Sequence, residues 1–411
     1  MMLWVTCSSL CADEYEDNSI TLNLGILYDI RGHRALFQEV ATSFMAQNPN
    51  IKIQIWGHSD VAYKKSFADW LAPESKMDVL YWQGGQRLLQ YAKAKQLHSL
   101  TSLWKQNNLI DKFPSVIQNV VKGDGEFYAI PFSYYGWGIM YNQRVLDYLE
   151  TPIPRTWSQL LAMCKAAKKQ NITALMVGSR SLWFPAAWFD YLNLRINGLD
   201  FHLQLLQGKE SFLDQRVTNV LTHWKQLIDA DCFNENHRSL EWRNVLTPLY
   251  RQLASATLIG NFISIDMPKQ FLADMTFRQF PDVVQGFPRF ENMPVDVFVI
   301  PQASQHKEAA EKLLIFLASA SVQQKISHAL EQSTPHLLAK QPNTKFVKKN
   351  EYILKQASGL SQYFDRDMPP LMVEPSLHVL VNFLDNANIN ATQQALEQIR
   401  LNYINTVQKS P

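Results

Sequence analysis

The amino-terminal part of the chain alternates between strand-like and helix-like segments, and this alternation constrains the fold most. Every second residue is apolar over residues 20–28, which predicts a strand, and residues 34–47 carry their apolar side chains on one helical face. Asn48-Pro49-Asn50 ends this helix, and the alternation returns at residues 51–55. A strand–helix–strand unit of this length requires parallel strands and a right-handed crossover, so the sequence predicts an α/β sheet.

The same pattern continues with a helix near residues 61–71, a short buried strand at 77–82 and a helix at 86–95. In open α/β sheets, ligands bind beyond the carboxyl ends of the strands. The residues that follow the three predicted strands should therefore share one edge of the sheet. The candidates for ligand contact at this edge are Asp29, Arg31, Asp60, Trp82 and Gln83.

Residues 123–157 are typical of a chain that crosses from one compact region to another. A Gly-Asp-Gly turn leads into a short strand that ends at Pro131, and a cluster of aromatic residues follows. A second strand is then predicted at 139–141, and Thr156 is a suitable N-cap for a helix over 157–169. We expect the aromatic cluster to contact a ligand at the crossing through Tyr134, Tyr135 and Trp137.

The region after the crossing again mixes strands and helices. Its predicted elements are a strand at 174–177, helices at 181–197, 217–229 and 242–254, and a strand at 257–265. Trp183 and Trp242 lie at the heads of two of these helices, and Asn261 follows a glycine in the apolar strand. We add these three residues to the candidate ligand contacts.

Length and composition limit the classes of function. A chain of 411 residues is too long for one ordinary core, and 46% apolar residues suffice for two. The net charge is only +2 and no Lys/Arg block occurs, so nucleic acid is not an expected partner. Aromatic residues make up 12% of the chain, with eleven Trp, against 18% charged residues. This balance favours flat, uncharged ligands that stack on rings, although any single Trp could equally belong to a core.

The first twelve residues resemble the end of a secretory signal peptide, because a short apolar run ends in small residues. No later run approaches the ~18 apolar residues that a membrane span needs. We therefore expect an exported, periplasmic or otherwise extracytoplasmic protein. Removal of the signal would leave Cys164 and Cys232, which could form a disulfide or remain two buried thiols.

No motif of a familiar enzyme class occurs in the sequence. A glycine-rich phosphate loop, a Gly-x-Ser-x-Gly nucleophile turn and a zinc-type spacing of Cys and His are all missing. We expect no catalysis, no metal and no cofactor. A pair of glycosidase carboxylates stays open as an alternative, because their separation depends on the tertiary structure.

Several segments, in the right order over nearly the whole mature chain, resemble the extracellular solute-binding proteins of sugar ABC transporters, the maltose-binding-protein-like group. The segments that carry the resemblance are Phe44-x-x-Gln47-Asn48-Pro49-Asn50, Met77-Asp78-Val79 with Gly84-Gly85, Phe127-Tyr128-Ala129-Ile130-Pro131, Tyr141-Asn142-Gln143-Arg144, Pro154-Arg155-Thr156-Trp157 and Leu258-Ile259-Gly260-Asn261-Phe262. Gln143 stands where Lys is usual, and residues 28–31 lack the Trp that is common there. The resemblance therefore does not carry over a particular sugar.

The resemblance implies the α/β periplasmic-binding-protein fold, in which two α/β lobes enclose a ligand cleft and are joined by crossing segments. We assign residues 1–12 to a signal-peptide remnant, 20–131 plus 295–333 to lobe 1, and 132–294 plus 334–411 to lobe 2. The implied function is capture of a carbohydrate, in particular an oligosaccharide, by a monomer that delivers it to an ABC-transporter permease. The alternative is a periplasmic sugar-sensing subunit that presents its closed form to a histidine kinase or chemoreceptor.

Overall fold

The structure, a computed structural model, describes residues 19–28 and 32–409. Its strands are β1 (Ile20–Leu27), β2 (Ile51–His58), β3 (Val79–Gln83), β4 (Lys122–Gly123), β5 (Glu126–Phe127), β6 (Ile130–Tyr134), β7 (Trp137–Asn142), β8 (Thr173–Met176), β9 (Ala254–Gly260), β10 (Met275–Arg278), β11 (Phe290–Asn292), β12 (Val295–Val299) and β13 (Gly359–Ser361).

The helices come from all parts of the described chain, and none of those in the described residues combines the length and apolarity needed to cross a bilayer. They are α1 (His33–Gln47), α2 (Asp60–Trp70), α3 (Gln86–Lys93), α4 (Thr101–Gln106), α5 (Ser115–Asn119), α6 (Gln143–Tyr148), α7 (Trp157–Lys169), α8 (Ala186–Ile196), α9 (Gly198–Leu206), α10 (Gln215–Asp229), α11 (Leu246–Tyr250), α12 (Lys307–Leu317), α13 (Ala320–Leu330), α14 (Lys345–Lys355), α15 (Phe364–Asp367), α16 (Pro370–Asn386) and α17 (Ile389–Lys409).

The first lobe is built on a five-stranded sheet in the order β2-β1-β3-β12-β6. The strand β1 is parallel to both β2 and β3, which confirms the predicted strand–helix–strand opening. The strand β12 returns from the second half of the chain and lies antiparallel between β3 and β6. The core of this lobe accordingly combines apolar side chains from residues 22–132 with others from residues 293–330.

The second lobe has its own sheet, in the order β10-β7-β9-β8, and a separate apolar core. This core draws on residues 135–280 and on residues 346–396 from the carboxyl-terminal helices. Each sheet is covered by helices, so each lobe buries apolar surface on its own. The predicted fold class, two α/β lobes joined by crossing segments, is confirmed.

The predicted helix over residues 242–254 is wrong for most of its length. Only Leu246–Tyr250 is helical, because Gln252 adopts the left-handed region (φ 60°) and Ala254 already begins β9. This strand lies between β7 and β8 and bonds to both, and two ladders of backbone hydrogen bonds outweigh local helix propensity. The predicted strand over residues 257–265 correspondingly ends at Gly260, and the predicted helix over residues 181–197 begins only at Ala186.

Three segments that cross between the lobes lie side by side. Tyr134 and Ser333 exchange backbone hydrogen bonds, with N–O distances of 3.0 and 3.1 Å. The backbone N–H of the next residue, Tyr135, donates to the carbonyl of Pro294 at 3.2 Å. The lobes are thus joined through a narrow ribbon of paired backbone and not through one flexible linker.

The residues 361–367, which we call the wedge, are buried between the two lobes. Gln362 ties the wedge to a crossing segment: its side-chain N–H donates to the carbonyl of Met293 at 2.9 Å, and its side-chain oxygen accepts the N–H of Val295 at 3.0 Å. The carboxylate of Asp367 accepts the backbone N–H of Gln362 at 2.8 Å. Burial raises the pKa of Asp367 to about 7, and this hydrogen bond and the charge of Arg366 offset the rise only in part.

The two cysteines left open by the sequence form a disulfide in the core of the second lobe. Cys164 lies on α7, Cys232 follows α10, and their Cα atoms are 5.2 Å apart. Both side chains are fully buried. The bond closes a loop with a sequence separation of 68 residues, which restricts the unfolded chain considerably.

We expect replacement of both cysteines, Cys164→Ala with Cys232→Ala, to lower the free energy of unfolding by about 2–4 kcal/mol, because the unfolded chain regains the entropy of the open loop. Urea unfolding with and without reductant measures the effect. Reductant should destabilise the wild-type protein and leave the double variant unchanged. Equal stability of the two proteins without reductant would contradict the prediction.

The buried carboxyl of Asp367 should give the protein a pH-dependent stability. The native state retains this proton up to about pH 7, whereas the unfolded chain releases it near pH 3.8, so the free energy of unfolding falls as the pH rises between these values. The full pKa difference is worth roughly 4 kcal/mol, and we expect a decline of about 2–4 kcal/mol. The variant Asp367→Asn should lose this contribution, so its stability should fall less steeply than that of the wild-type protein in urea titrations from pH 4 to 8.

The matched control for this measurement is Asp229→Asn, which removes an exposed carboxylate at the end of α10. Its stability should follow that of the wild-type protein across the pH range. A wild-type slope that survives in Asp367→Asn would show that other groups cause it.

Candidate functional site

A cleft with about 640 Å³ of empty space, part of it open to solvent, lies between the two lobes. Leu27 and Gln83 end the parallel strands β1 and β3, so the cleft opens at the carboxyl edge of the first sheet, as the sequence predicts. The first lobe and the crossing segments contribute Leu27, Asp60, Lys64, Tyr81, Gln83, Pro294 and Asp296 to its lining. The second lobe and the wedge contribute Tyr135, Trp137, Trp183, Trp242, Phe262, Tyr363, Asp365 and Arg366.

Five rings form one side of the cleft, and we call Trp137, Trp183, Trp242, Phe262 and Tyr363 the aromatic wall. Trp137 stacks on Tyr363 with ring centroids 4.5 Å apart and meets Trp183 edge-on at 5.9 Å. The ring centroid of Trp242 lies 6.0 Å from that of Trp183 and 5.5 Å from that of Phe262. The rings therefore support one another and present a continuous apolar surface.

The two outer members of the aromatic wall owe their exposure to the late start of the following helices. Trp183 lies in the turn before α8, and Trp242 lies in the turn before α11. Both rings are half-buried, whereas Trp137 is almost fully buried. The indole N–H of Trp137 has no hydrogen-bond acceptor within the part of the chain that the structure describes.

Arg366 of the wedge links both lobes at the base of the cleft. Its guanidinium donates to the hydroxyl of Tyr135 at 2.7 Å and to the carbonyl of Val295 at 3.0 Å, and it lies 3.1 Å from the carboxylate of Asp296. Burial raises the pKa of Asp296, and the neighbouring Arg366 offsets this rise only in part. The guanidinium thus has one partner on the second lobe and two at the start of β12 in the first lobe.

Asp365, the preceding residue, pairs with cations of the first lobe. Its carboxylate lies 3.2 Å from the guanidinium of Arg87 and 3.8 Å from the ammonium of Lys64. Burial alone would raise the pKa of Asp365, but these cations hold it below its usual value, so the carboxylate stays charged. Lys64 also lies 2.9 Å from Asp60, and Arg87 donates to the side-chain oxygen of Gln83 at 2.6 Å.

The structure brings six of the sequence candidates together in the lining of this one cleft, from both lobes. They are Asp60, Gln83, Tyr135, Trp137, Trp183 and Trp242. Two other candidates, Asp29 and Arg31, and the proposed signal remnant at residues 1–12 fall outside the described residues.

The remaining three candidates lie away from the cleft lining. Trp82 lies in the core of the first lobe, where its ring stacks on Phe67 with centroids 3.4 Å apart. Successive side chains of β3 point to opposite faces of the sheet, so its neighbours Tyr81 and Gln83 reach the cleft instead. The hydroxyl of Tyr134 donates to Glu351 at 2.9 Å, beside the crossing segments. The side-chain oxygen of Asn261 accepts the backbone N–H of Gly136 at 3.1 Å, which makes it a support for the crossing.

Sequence reasoning missed the wedge and therefore Asp365 and Arg366. The run Tyr363-Phe364-Asp365-Arg366-Asp367 does contain a signal, since three charges stand beside two aromatic residues just before a Pro-Pro pair. That signal is unusual for a solvated loop. The partner of Arg366 cannot be found from the neighbouring sequence, because Tyr135 and Arg366 are 231 residues apart in the chain.

Two curated relatives from Pyrococcus horikoshii are the uncharacterised ABC transporter extracellular-binding proteins PH1214 and PH1039. They are 22% and 23% identical to this chain over 299 and 296 residues, which is 71% and 69% of its length. The matched regions cover 66% and 65% of the relatives, so the chain spans just under two thirds of their length.

Solved structures of similar fold include the bacterial solute receptor AcbH, a chitin oligosaccharide binding protein, and RafE in complex with raffinose. Their TM-scores are 0.86, 0.84 and 0.78, at sequence identities of 21%, 17% and 15%. The similarity covers 92%, 93% and 93% of this chain and 97%, 98% and 99% of theirs. At such identities it shows a shared fold.

The family assignment rests on the sequence itself. The sequence profile of the bacterial extracellular solute-binding proteins matches residues 31–324, which is well over half of the chain. This match confirms the resemblance seen in the sequence motifs. The chain belongs to the bacterial extracellular solute-binding protein family.

Proposed function

We propose that this protein binds a neutral carbohydrate in the cleft, outside the cytoplasm, and delivers it to the permease of an ABC transporter without chemical change. The observation that carries the proposal is the composition of the cleft: an aromatic wall faces polar groups whose charges are already paired. Each half of this arrangement matches one chemical property of a sugar.

The aromatic wall suits the apolar C–H faces of a pyranose ring, which can stack on an indole. Trp183 and Trp242 are half-buried, so a ligand can still cover their free ring surface. Trp137, which is only 2% exposed, supports this surface through its ring contacts with Trp183 and Tyr363.

The polar side of the cleft suits hydroxyl groups better than ions. Three pairs hold opposite charges at 2.9, 3.2 and 3.1 Å, namely Asp60 with Lys64, Asp365 with Arg87, and Asp296 with Arg366. An ionic ligand would compete with one of these pairs, whereas a hydroxyl can donate to the carboxylates and accept from the cations. Such paired hydrogen bonds also reject analogues that lack a hydroxyl.

Relatives and the compartment support the same proposal. AcbH is described with an exclusive substrate preference for β-D-galactopyranose, and RafE is seen with raffinose. The two Pyrococcus horikoshii relatives carry the name of ABC transporter extracellular-binding proteins. The disulfide between Cys164 and Cys232 fits an oxidising compartment outside the cytoplasm.

The proposed ligand contacts are the cleft-lining residues from the sequence candidates together with Asp365 and Arg366 of the wedge. Asp29 and Arg31 stay in the proposal as predictions from the sequence, because they directly follow β1. Trp82 and Tyr134 leave it, because other parts of the protein already occupy their side chains. Asn261 leaves it because its side chain is fully buried outside the cleft lining, where its oxygen holds the backbone N–H of Gly136.

Thermal unfolding with a carbohydrate panel tests the function. The panel contains galactose, raffinose, xylo-oligosaccharides, chito-oligosaccharides and the charged analogue galacturonate. A neutral sugar at a hundred times its Kd should add about 2.7 kcal/mol to the free energy of unfolding, because only the native state binds it. Absence of any shift, or a preference for galacturonate, would contradict the proposal. Release of cleaved product from the bound sugar would contradict transport without chemistry.

The variant Trp242→Ala should weaken sugar binding by about 1–3 kcal/mol, roughly five- to 150-fold in Kd, because the sugar loses a stacking surface. Titration calorimetry with the sugar that shifts the wild-type protein measures this loss. The matched control is Trp56→Ala on the edge strand β2, where the side chain is 48% exposed and away from the cleft. Equal affinities of the two variants would place the binding surface elsewhere.

A further inference from the structure

Helix α8 carries one acidic and one basic side chain in a segment that is otherwise uncharged and almost entirely buried. Asp190 is 0% exposed and Arg195 is 2% exposed, and neither belongs to the lining of the cleft. A buried ionisable group costs free energy unless its surroundings supply hydrogen bonds. The partners of these two residues therefore indicate what they are for.

Among the residues that the structure describes, Asp190 has two hydrogen-bond donors and no charged partner. One carboxylate oxygen accepts both the backbone N–H of Phe364 at 2.7 Å and the side-chain N–H of Asn292 at 3.1 Å. The nearest ring nitrogen of His202 lies 3.7 Å from the other oxygen, and burial lowers the pKa of His202 to about 3, which leaves the ring neutral. Asp190 thus supplies the acceptor for the first backbone N–H of α15.

Helix α8 also contacts the strand β11, which pairs with the segment that leads into the wedge. Arg195 donates to the carbonyl of Phe290 and lies 2.5 Å from the carboxylate of Glu291, both on β11. The strand β11 pairs with β13, which ends at Ser361, where the wedge begins. Asn292 then accepts a hydrogen bond from the hydroxyl of Ser361. The wedge is consequently tied to α8 at two points.

We propose that Asp190 is a positioning residue for ligand binding: by fixing the backbone N–H of Phe364 it sets the orientation of Asp365 and Arg366 in the cleft. This inference rests on the proposed function. Asp365 and Arg366 directly follow Phe364, so a displaced amide moves both side chains relative to Arg87 and Tyr135. Loss of the acceptor would also leave a buried N–H without a partner, which favours a rearranged wedge.

Hydrogen–deuterium exchange tests the positioning role without any ligand. Asp190→Leu removes the acceptor, whereas Asp190→Asn keeps an oxygen of the same reach. In peptides that cover residues 359–368, exchange should rise at least tenfold in Asp190→Leu and stay within threefold of wild type in Asp190→Asn. The control Leu221→Ala, on the buried face of α10, should destabilise the second lobe as a whole. Exchange in the peptides of residues 359–368 should then rise no more than exchange in the rest of that lobe.

Binding measurements test whether the wedge transmits the change to the cleft. The probe is galactose or raffinose, whichever shifts the unfolding of the wild-type protein. Asp190→Leu should weaken binding at least tenfold and Asp190→Asn less than threefold. Because Asp190 acts through both Asp365 and Arg366, the loss that Asp190→Leu adds to Arg366→Ala should be clearly smaller than the loss that it causes in the wild-type protein.

Additive losses, or unchanged exchange at residues 359–368, would overturn the proposal and leave Asp190 as a general support of the second lobe. If Asp190→Leu does not fold, Asp190→Ala replaces it, because the smaller side chain removes the same acceptor of the Phe364 N–H without adding bulk. If no sugar binds the wild-type protein, the proposed function fails, and the exchange experiment alone decides the positioning role.

Discussion

The buried guanidinium of Arg366 is the interaction on which the cleft depends. It reaches Tyr135 of the second lobe and, on β12 of the first sheet, the carbonyl of Val295 and the carboxylate of Asp296. A cation removed from water is tolerated only where good geometry and hydrogen bonds compensate its desolvation. Arg366 and the residues that meet this demand belong to three distant parts of the chain, so satisfying one charge holds the base of the cleft together.

The rest of the site follows from this arrangement. The wedge brings Asp365 beside Arg87 and places Tyr363 against Trp137, so that paired charges and stacked rings face the same cavity. Both features are prepared before a ligand arrives, which limits the ordering that binding would otherwise require. The hydrogen bond from Phe364 to Asp190 extends this preparation into the core of the second lobe.

The sequence was most informative where periodicity and turns are local. The parallel pairing of β1 with β2 and β3, the crossing with Tyr135 and Trp137, and the placement of Asp60 at a strand end all followed from short patterns. The errors have equally local causes. Trp82 and Tyr81 differ by one position on a strand, and one position exchanges the core face for the cleft face. Residues 254–256 form a strand because of their neighbours β7 and β8 and not because of their own propensity.

Local patterns in the chain are sufficient to predict the α/β class, the two-lobe organisation and the family, because these depend on alternating apolar residues and on motifs within a few positions. The bond between Cys164 and Cys232 and the position of the wedge in the cleft become visible only in the folded protein. The physical reason is separation along the chain. Arg366 and Tyr135 are 231 residues apart, and a contact over that distance exists only after both cores have packed and brought the crossing segments together.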